Sequence, residues 1–230
     1  MFFDPMYVFV VLLPTLIISG LAQAWVRGAY QKWSNIPNSQ RVNGQQTAQI
    51  LMRKGGIKPV GLELGRGELS DHYDPRAGVV RLSPGVAQTP SVAAMAIAAH
   101  EFGHVQQDQH NSPLMALRAM LIPSATLGPQ LGIGLIILGL VLNFTGLAVV
   151  GLILFAGAAL FTIVTLPVEL DASRRALKLL RETGLIASPQ DAEGAQAVLR
   201  AAAFTYVAAV ATSLLTLLYY AMLVFGRNRD

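Results

Sequence analysis

The feature that most constrains the fold is a long stretch without a single charged residue, which extends from Ser124 to Val168. A transmembrane helix needs about 20 apolar residues, so the stretch is long enough for two spans. Asn143-Phe144-Thr145-Gly146 lies in its middle and is typical of a turn. The sequence therefore predicts transmembrane helices at 124–142 and 147–166, joined by a very short connection.

Two further apolar runs, at 6–26 and 203–225, raise the predicted number of spans to four. The composition agrees, because 53% of the residues are hydrophobic and only 13% are charged, well below the charged share of a soluble protein. The first run is not typical of a cleaved signal peptide, because no basic residue precedes it and no A-x-A-like site follows it. We expect a mainly α-helical integral membrane protein.

The segments between the spans contain most of the charged residues. Residues 27–112 have the pattern of a small α+β domain, with β-strands expected at Ile57–Leu64 and Gly78–Ser83. A helix rich in alanine follows, for which Thr89-Pro90 is a typical start, with Thr as N-cap and Pro at the first helical position. Residues 167–202 are predicted to be a charged helical segment.

The distribution of basic residues predicts the orientation in the membrane. Fifteen of the seventeen Lys and Arg residues lie between spans one and two or between spans three and four, and the exceptions are Arg227 and Arg229. Cytoplasmic connections carry an excess of Lys and Arg, so both connections are predicted to be cytoplasmic and both termini outside. The expected location is the plasma membrane, with the α+β domain on the cytoplasmic face.

The segment His100-Glu101-Phe102-Gly103-His104 has the H-E-x-x-H pattern of zinc hydrolases. In a helix, histidines four residues apart lie on one face and can bind the same Zn²⁺. Glu101 follows the first histidine and is suited to be the general base for a zinc-activated water. These residues predict a zincin-like domain with one Zn²⁺ per chain. The chain contains no cysteine, so a third ligand has to be His, Asp or Glu.

Two residues are candidates for the third ligand. His110 gives the spacing H-E-x-x-H-x-x-G-x-x-H, but Gln107 occupies the glycine position at which the helix has to break. In a continuous helix His110 would point about 120° away from His104, so we reject it. Glu169 follows the third span on the same predicted membrane face and would complete a His₂Glu site. We therefore assign Glu169.

Three other residues are candidates for supporting a zinc ligand or for contacting the substrate. Asp171 lies about 200° round the helix from Glu169, so it is expected either to support a ligand or to pair with Arg174 and Arg175. His72 and Tyr73 precede the Val79–Leu82 strand. If that strand were a sheet edge that receives a substrate peptide, either side chain could help to stabilise an oxyanion.

The alternative for the His72 region is a turn cluster, in which Asp71 and Asp74 accept hydrogen bonds from local backbone amides and Pro75 fixes the bend. We favour this interpretation.

The motifs as a set resemble the YugP-like membrane zinc metallopeptidases, and the similarity covers nearly the whole chain. They are LSDHYDPR (69–76), VVRLSPGV (79–86), AAHEFGHVQQ (98–107), PVELDASRRAL (167–177) and AAAFTYVAA (201–209). The layout is more distantly similar to the HtpX-type membrane peptidases, which commonly have E-x-x-A-D where this chain has Ser173 in the last place. The resemblance implies the zinc ligands His100, His104 and Glu169, with Glu101 catalytic.

The sequence thus predicts a membrane-embedded zinc metallopeptidase that binds no nucleic acid. The expected substrates are membrane-associated proteins or peptides. The alternative is a non-proteolytic zinc-binding membrane scaffold or chaperone-like factor. A transporter is disfavoured, because no Asp, Glu, Lys, Arg or His lies inside any predicted span.

Overall fold

The structure is a computed structural model that describes residues 5–68 and 70–226. Three residues named above lie outside the described residues: Leu69 of the LSDHYDPR motif, and the basic residues Arg227 and Arg229. The helices are α1 Pro5–Ser34, α2 Gly44–Lys54, α3 Pro84–Gln88, α4 Val92–Gln109, α5 Pro113–Val141, α6 Thr145–Glu182 and α7 Pro189–Gly226. The strands are β1 Gly61–Leu64, β2 His72–Asp74 and β3 Val79–Leu82.

Four of the described helices, α1, α5, α6 and α7, are long and apolar enough to cross a membrane. All four extend beyond the predicted spans. Helix α5 begins at Pro113 and continues through Pro123 and Pro129, while α6 continues through Pro167 to Glu182. The predicted third span and the charged helix after it are therefore one helix. A proline removes one backbone hydrogen bond, and apolar helices of membrane proteins tolerate that loss.

One compact unit consists of residues 23–112 and 168–204. Its three-stranded sheet has the order β1-β3-β2, with β1 parallel and β2 antiparallel to β3. Val80 and Leu82 of β3 are fully buried. The Val79–Leu82 strand is thus the central strand and not an edge, so the hypothesis that it receives a substrate by strand addition is wrong. The sequence pattern could not reveal this, because β1 precedes β3 by a long segment and pairs with it in parallel.

Helix α4 is the central element of the same unit. Its alanines at 93, 94, 96, 98 and 99 are at most 2% exposed, and they pack among apolar residues of the neighbouring helices and of β3. The N-cap is Ser91, whose Oγ accepts a hydrogen bond from the Ala94 amide at 3.1 Å, and not Thr89 as predicted. The start is shifted because Ser91 pairs with Pro37 in an isolated bridge, while the Val92 amide donates to the Ile36 carbonyl.

Helices α4 and α6 are in close contact at Gly103. A Cβ at this position would collide with the backbone carbonyl of Ala172, so the contact requires glycine. On α6, Ala172 and Ala176 are fully buried and Ser173 is 9% exposed. This stripe of small residues starts from Glu169. The short side chains therefore bring Glu169 into the vicinity of the histidines of α4.

The second compact unit consists of residues 1–22, 113–167 and 205–230, of which 5–22, 113–167 and 205–226 are described. Its helices also approach closely at glycines. A Cβ on Gly132 would lie 2.8 Å from the Gly151 carbonyl oxygen, and one on Gly128 would lie 2.7 Å from that of Leu154. Small residues at such crossings are typical of helix packing in membranes, where close approach gives van der Waals contact.

Candidate metal centre

The histidines of the H-E-x-x-H pattern lie one turn apart on α4 and face a carboxylate of α6. His100 Nε2 is 3.2 Å and His104 Nε2 is 3.5 Å from Glu169 Oε2. The ligand atoms of all three residues lie within 4.8 Å of one another, and the imidazole ring centroids are 4.9 Å apart. The structure therefore brings together the three residues that the sequence analysis assigned as ligands.

The cluster is largely shielded from solvent. Glu169 is 2% and His104 is 8% exposed, whereas His100 is only partly buried. Burial alone would lower the pKa of the His104 imidazole, but the hydrogen bond with Glu169 and the negative charges of Glu101 and Glu169 outweigh burial and raise this pKa. The negative charges of the two carboxylates thus act on the His104 imidazole and favour a cation there.

Glu101 lies beside the cluster and outside the group of three. It is 6% exposed, and its negative charge contributes to the raised pKa of His104. An acid that is neither a member of the donor group nor exposed to bulk solvent is suited to exchange protons with a molecule bound at the cluster. The assignment of Glu101 as the general base stays a prediction.

The other ring nitrogens of both histidines also have partners. Ser173 Oγ is 3.3 Å from His100 Nδ1, and Gln107 Oε1 is 2.9 Å from His104 Nδ1. Neither role was predicted from the sequence, in which Gln107 stands at the position of a missing glycine and Ser173 departs from E-x-x-A-D. Helical spacing could have suggested them, because Gln107 follows His104 by three residues and Ser173 follows Glu169 by four.

Asp171 combines the two roles that the sequence left as alternatives. Its Oδ2 accepts hydrogen bonds from Arg175 Nε at 2.7 Å and from Gln107 Nε2 at 3.0 Å. Arg174 Nη2 is 3.7 Å from Oδ1, a longer ion pair that is exposed on the arginine side. Asp171 therefore pairs with an arginine and also reaches the cluster through the side chain of Gln107.

His110 is not a member of the cluster. Helix α4 continues past Gln107 to Gln109, and His110 caps its C-terminus. The His110 Nδ1 atom lies 3.3 Å from Arg175 Nη1. Among the described residues, the group that could hold a metal is formed by His100, His104 and Glu169.

His72 and Tyr73, the two candidates on β2, make contacts of a structural kind. The Tyr73 hydroxyl donates to Asp108 Oδ2 at 2.8 Å and so connects β2 to α4. Burial and the adjacent Asp108 raise the pKa of Tyr73, so it remains a donor. His72 is exposed, with Nδ1 2.8 Å from the Ser70 carbonyl oxygen and Nε2 3.4 Å from Arg81 Nη1.

Asp71 and Asp74, the acids of the same segment, agree only in part with the predicted turn cluster. Asp74 Oδ1 accepts from the backbone amides of Arg76 and Ala77. Asp71 departs from the prediction, because it accepts from the amide and hydroxyl of Ser83, twelve residues away, rather than from local amides. Burial raises the pKa of Asp71, and the hydrogen bonds of Ser83 act in the opposite direction.

The donor set fits Zn²⁺. Two imidazole nitrogens and one carboxylate oxygen are the ligands of a His₂Glu catalytic zinc site, which keeps one position for water or substrate. Ca²⁺ and Mg²⁺ instead prefer sets composed of oxygen atoms. The partners of both Nδ1 atoms also match zinc-binding histidines, which commonly hydrogen-bond through their second ring nitrogen.

Known proteins with similar sequences agree with this chemistry. The chain matches, over residues 8–225, the family described as "Putative neutral zinc metallopeptidase". It belongs to this family. It is also 39% identical over 217 residues to a Bacillus subtilis (strain 168) protein named "Putative membrane protease YugP", an alignment that covers 93% of this chain and 94% of that protein. No solved structure matches the chain.

Membership of the zinc metallopeptidase family confirms the resemblance predicted from the motifs, and it implies zinc as the metal. The match extends across both compact units, from the first apolar helix to the last. The apolar helices are thus part of the family's architecture rather than an addition to it.

Proposed function

We propose that the chain is a membrane-embedded metallopeptidase that hydrolyses peptide bonds with one Zn²⁺ per chain held by His100, His104 and Glu169. The observation that carries the proposal is the convergence of both Nε2 atoms on Glu169 Oε2, at 3.2 and 3.5 Å. Membership of a zinc metallopeptidase family supports the same chemistry.

Each residue then has a separate task. When bound, Zn²⁺ polarises the scissile carbonyl and lowers the pKa of a water molecule to about 7. Glu101 accepts the proton of the attacking water and passes it to the nitrogen of the leaving amine, so that the acid is regenerated after each turnover. Burial of the cluster limits the access of other water molecules and strengthens these electrostatic interactions.

We further propose that the unit with the sheet is a zincin-like domain on the cytoplasmic face of the membrane, with both termini outside. The basic connections between spans support this orientation through the positive-inside rule. The relative from Bacillus subtilis is named as a membrane protease, which favours protein or peptide substrates at the membrane.

The decisive experiment replaces Glu101 by Gln in the purified full-length protein. Loss of the proton acceptor is expected to lower peptide cleavage by about 10²–10⁴-fold, while the zinc content stays at the wild-type value. Cleavage of casein or a labelled peptide, with and without a chelator, measures the first effect, and metal analysis measures the second. Full activity in the Glu101→Gln protein would contradict the mechanism.

The same assay separates a peptidase from the non-proteolytic scaffold considered above. A wild-type protein that binds zinc and cleaves neither casein nor a labelled peptide would favour the scaffold. Cleavage that the chelator stops and added zinc restores would favour the peptidase.

A further inference from the structure

Gln107 is a buried polar residue next to the metal centre, and none of its hydrogen-bonding groups faces solvent. It is 1% exposed, and its amide contacts three other residues. The Oε1 atom is 2.9 Å from His104 Nδ1, and Nε2 donates to the Val168 carbonyl at 2.8 Å and to Asp171 Oδ2 at 3.0 Å. Burial of an amide is costly unless its groups are paired, so this arrangement requires all three contacts.

The partners of Gln107 determine which way its amide points. The Val168 carbonyl accepts hydrogen bonds and cannot donate them, and the Asp171 carboxylate is held by Arg175 Nε at 2.7 Å. Both acceptors must face the NH₂ group, because a carbonyl oxygen placed there would repel them. The Oε1 atom therefore faces His104 and can only accept, so Nδ1 has to carry a proton.

We infer that Gln107 is a positioning residue that fixes the Nδ1-protonated tautomer of His104 and so directs the lone pair of Nε2 toward the metal. The inference deepens the proposed function and rests on it. A neutral imidazole protonated at Nδ1 has its lone pair on Nε2, the atom that faces Glu169. Gln107 thus acts through His104 and does not touch the metal or the substrate.

His100 provides an internal comparison. Its Nδ1 atom lies 3.3 Å from Ser173 Oγ, and a hydroxyl can either donate or accept. Ser173 therefore does not determine a tautomer, whereas Gln107 does, because its amide orientation is fixed by acceptors. The tautomer of His104, the more buried of the two histidines, is therefore the more strongly constrained.

Gln107 also connects the two helices that supply the ligands. It lies on α4, and its NH₂ group donates to two residues of α6. These are Val168, directly before Glu169, and Asp171, two residues after it. The hydrogen bonds continue from Asp171 to Arg175 and from Arg175 to His110. His110, rejected as a ligand, is thus the outer end of a chain of polar contacts that starts at His104.

Two substitutions of Gln107 separate positioning from packing. Gln107→Met keeps the length of the side chain and removes every hydrogen bond, and we expect it to weaken zinc binding by about 10–100-fold, the usual cost of losing such a partner. Gln107→Glu keeps an acceptor for the Nδ1 proton but places an oxygen opposite Val168 and Asp171. We expect zinc affinity within about fivefold of wild type and a lower Tm.

The matched control is Gln109→Met. Gln109 is on the same helix and also makes two hydrogen bonds, from Nε2 to the Lys58 carbonyl and from the Lys58 amide to Oε1, both at 3.0 Å. Neither involves a histidine, so the zinc affinity of this variant is expected to equal that of wild type. If Gln107→Glu does not fold, the double variant Gln107→Glu with Asp171→Asn removes the contact between like charges.

The measurement is zinc affinity in the purified full-length protein, by competition with a chromophoric chelator, together with Tm. Unchanged affinity in Gln107→Met would overturn the inference, and so would equal losses of affinity in Gln107→Met and Gln107→Glu, the pattern of a packing role. A wild-type protein that binds no zinc, or a Glu169→Ala protein that binds it as tightly as wild type, would instead contradict the proposed metal site.

Discussion

Glu169 is a carboxylate that is 2% exposed and faces two imidazole nitrogens. Removing a charged carboxylate from water costs several kcal/mol, yet the contacts with His100 and His104 hold the pKa of Glu169 below its ordinary value. A divalent cation among the three donors would add to this stabilisation, because the ion attracts the carboxylate and accepts both nitrogen lone pairs. The buried carboxylate and the two imidazoles therefore form a set of donors suited to a metal ion.

Glu169→Ala is accordingly expected to remove zinc from the protein. The loss of zinc affinity should exceed the ~10–100-fold expected when a residue that hydrogen-bonds to a zinc ligand is removed. His110→Ala is the control, since its Nδ1 contacts Arg175 and not the cluster. Metal analysis after dialysis checks both variants, and loss of zinc in the His110 variant alone would reverse the assignment of the third ligand.

The residues of the centre differ in how far the sequence could predict them. His100 and His104 follow from helical periodicity, because residues four apart share a face. The proximity of Glu169 could be inferred only from its place after the third span and from the family resemblance, since it is 65 residues beyond His104. The role of Gln107 depends on the direction of its amide, which is set by Val168 and Asp171 of another helix.

At the scale of the elements, the interiors of the helices were easier to predict from the sequence than their ends. Apolar runs identified the four long helices, but Pro123 and Pro167, which adjoin the predicted ends of spans, lie inside continuous helices. The position of β3 in the middle of the sheet was not predictable, because pairing between β1 and β3 joins distant segments in parallel. Tertiary contacts determine both features, and a local pattern does not contain them.

The close contact of α4 and α6 predicts the effect of Gly103→Ala. The new Cβ would meet the Ala172 backbone, so the helices have to separate, at a cost of about 1–3 kcal/mol. Higher helix propensity offsets at most ~1 kcal/mol of this. Since Ala172 is one turn from Glu169, we expect a lower Tm together with weaker zinc binding.

Gly28→Ala is the matched control for the packing prediction. Gly28 also lies within a helix, but nothing would come within 4 Å of an added Cβ. This variant should keep its zinc affinity and should have a Tm equal to or above that of wild type, because alanine favours the helix by up to ~1 kcal/mol. Equal behaviour of the two variants in the chelator competition would contradict a special role for the contact at Gly103.

At the scale of the whole molecule, charge and chemistry are concentrated in the same parts of the chain. The two connections with fifteen of the seventeen basic residues also contain the H-E-x-x-H helix and Glu169. If these connections are cytoplasmic, both contributors to the metal centre are on one side of the membrane, and no ligand has to be delivered across it. The geometry of the centre therefore requires both connections to lie on the same side of the membrane, as the predicted topology has them.

The topology can be tested directly, because the chain contains no cysteine and a single one can be introduced. Thr145→Cys lies at the start of α6, in the connection predicted to be outside, and Arg66→Cys lies in the connection predicted to be cytoplasmic; both positions are exposed. In spheroplasts, an impermeant thiol reagent is expected to label Thr145→Cys, and to label Arg66→Cys only after lysis. The opposite pattern would place the metal centre outside, whereas labelling of both before lysis would contradict a four-span arrangement with both connections on one side.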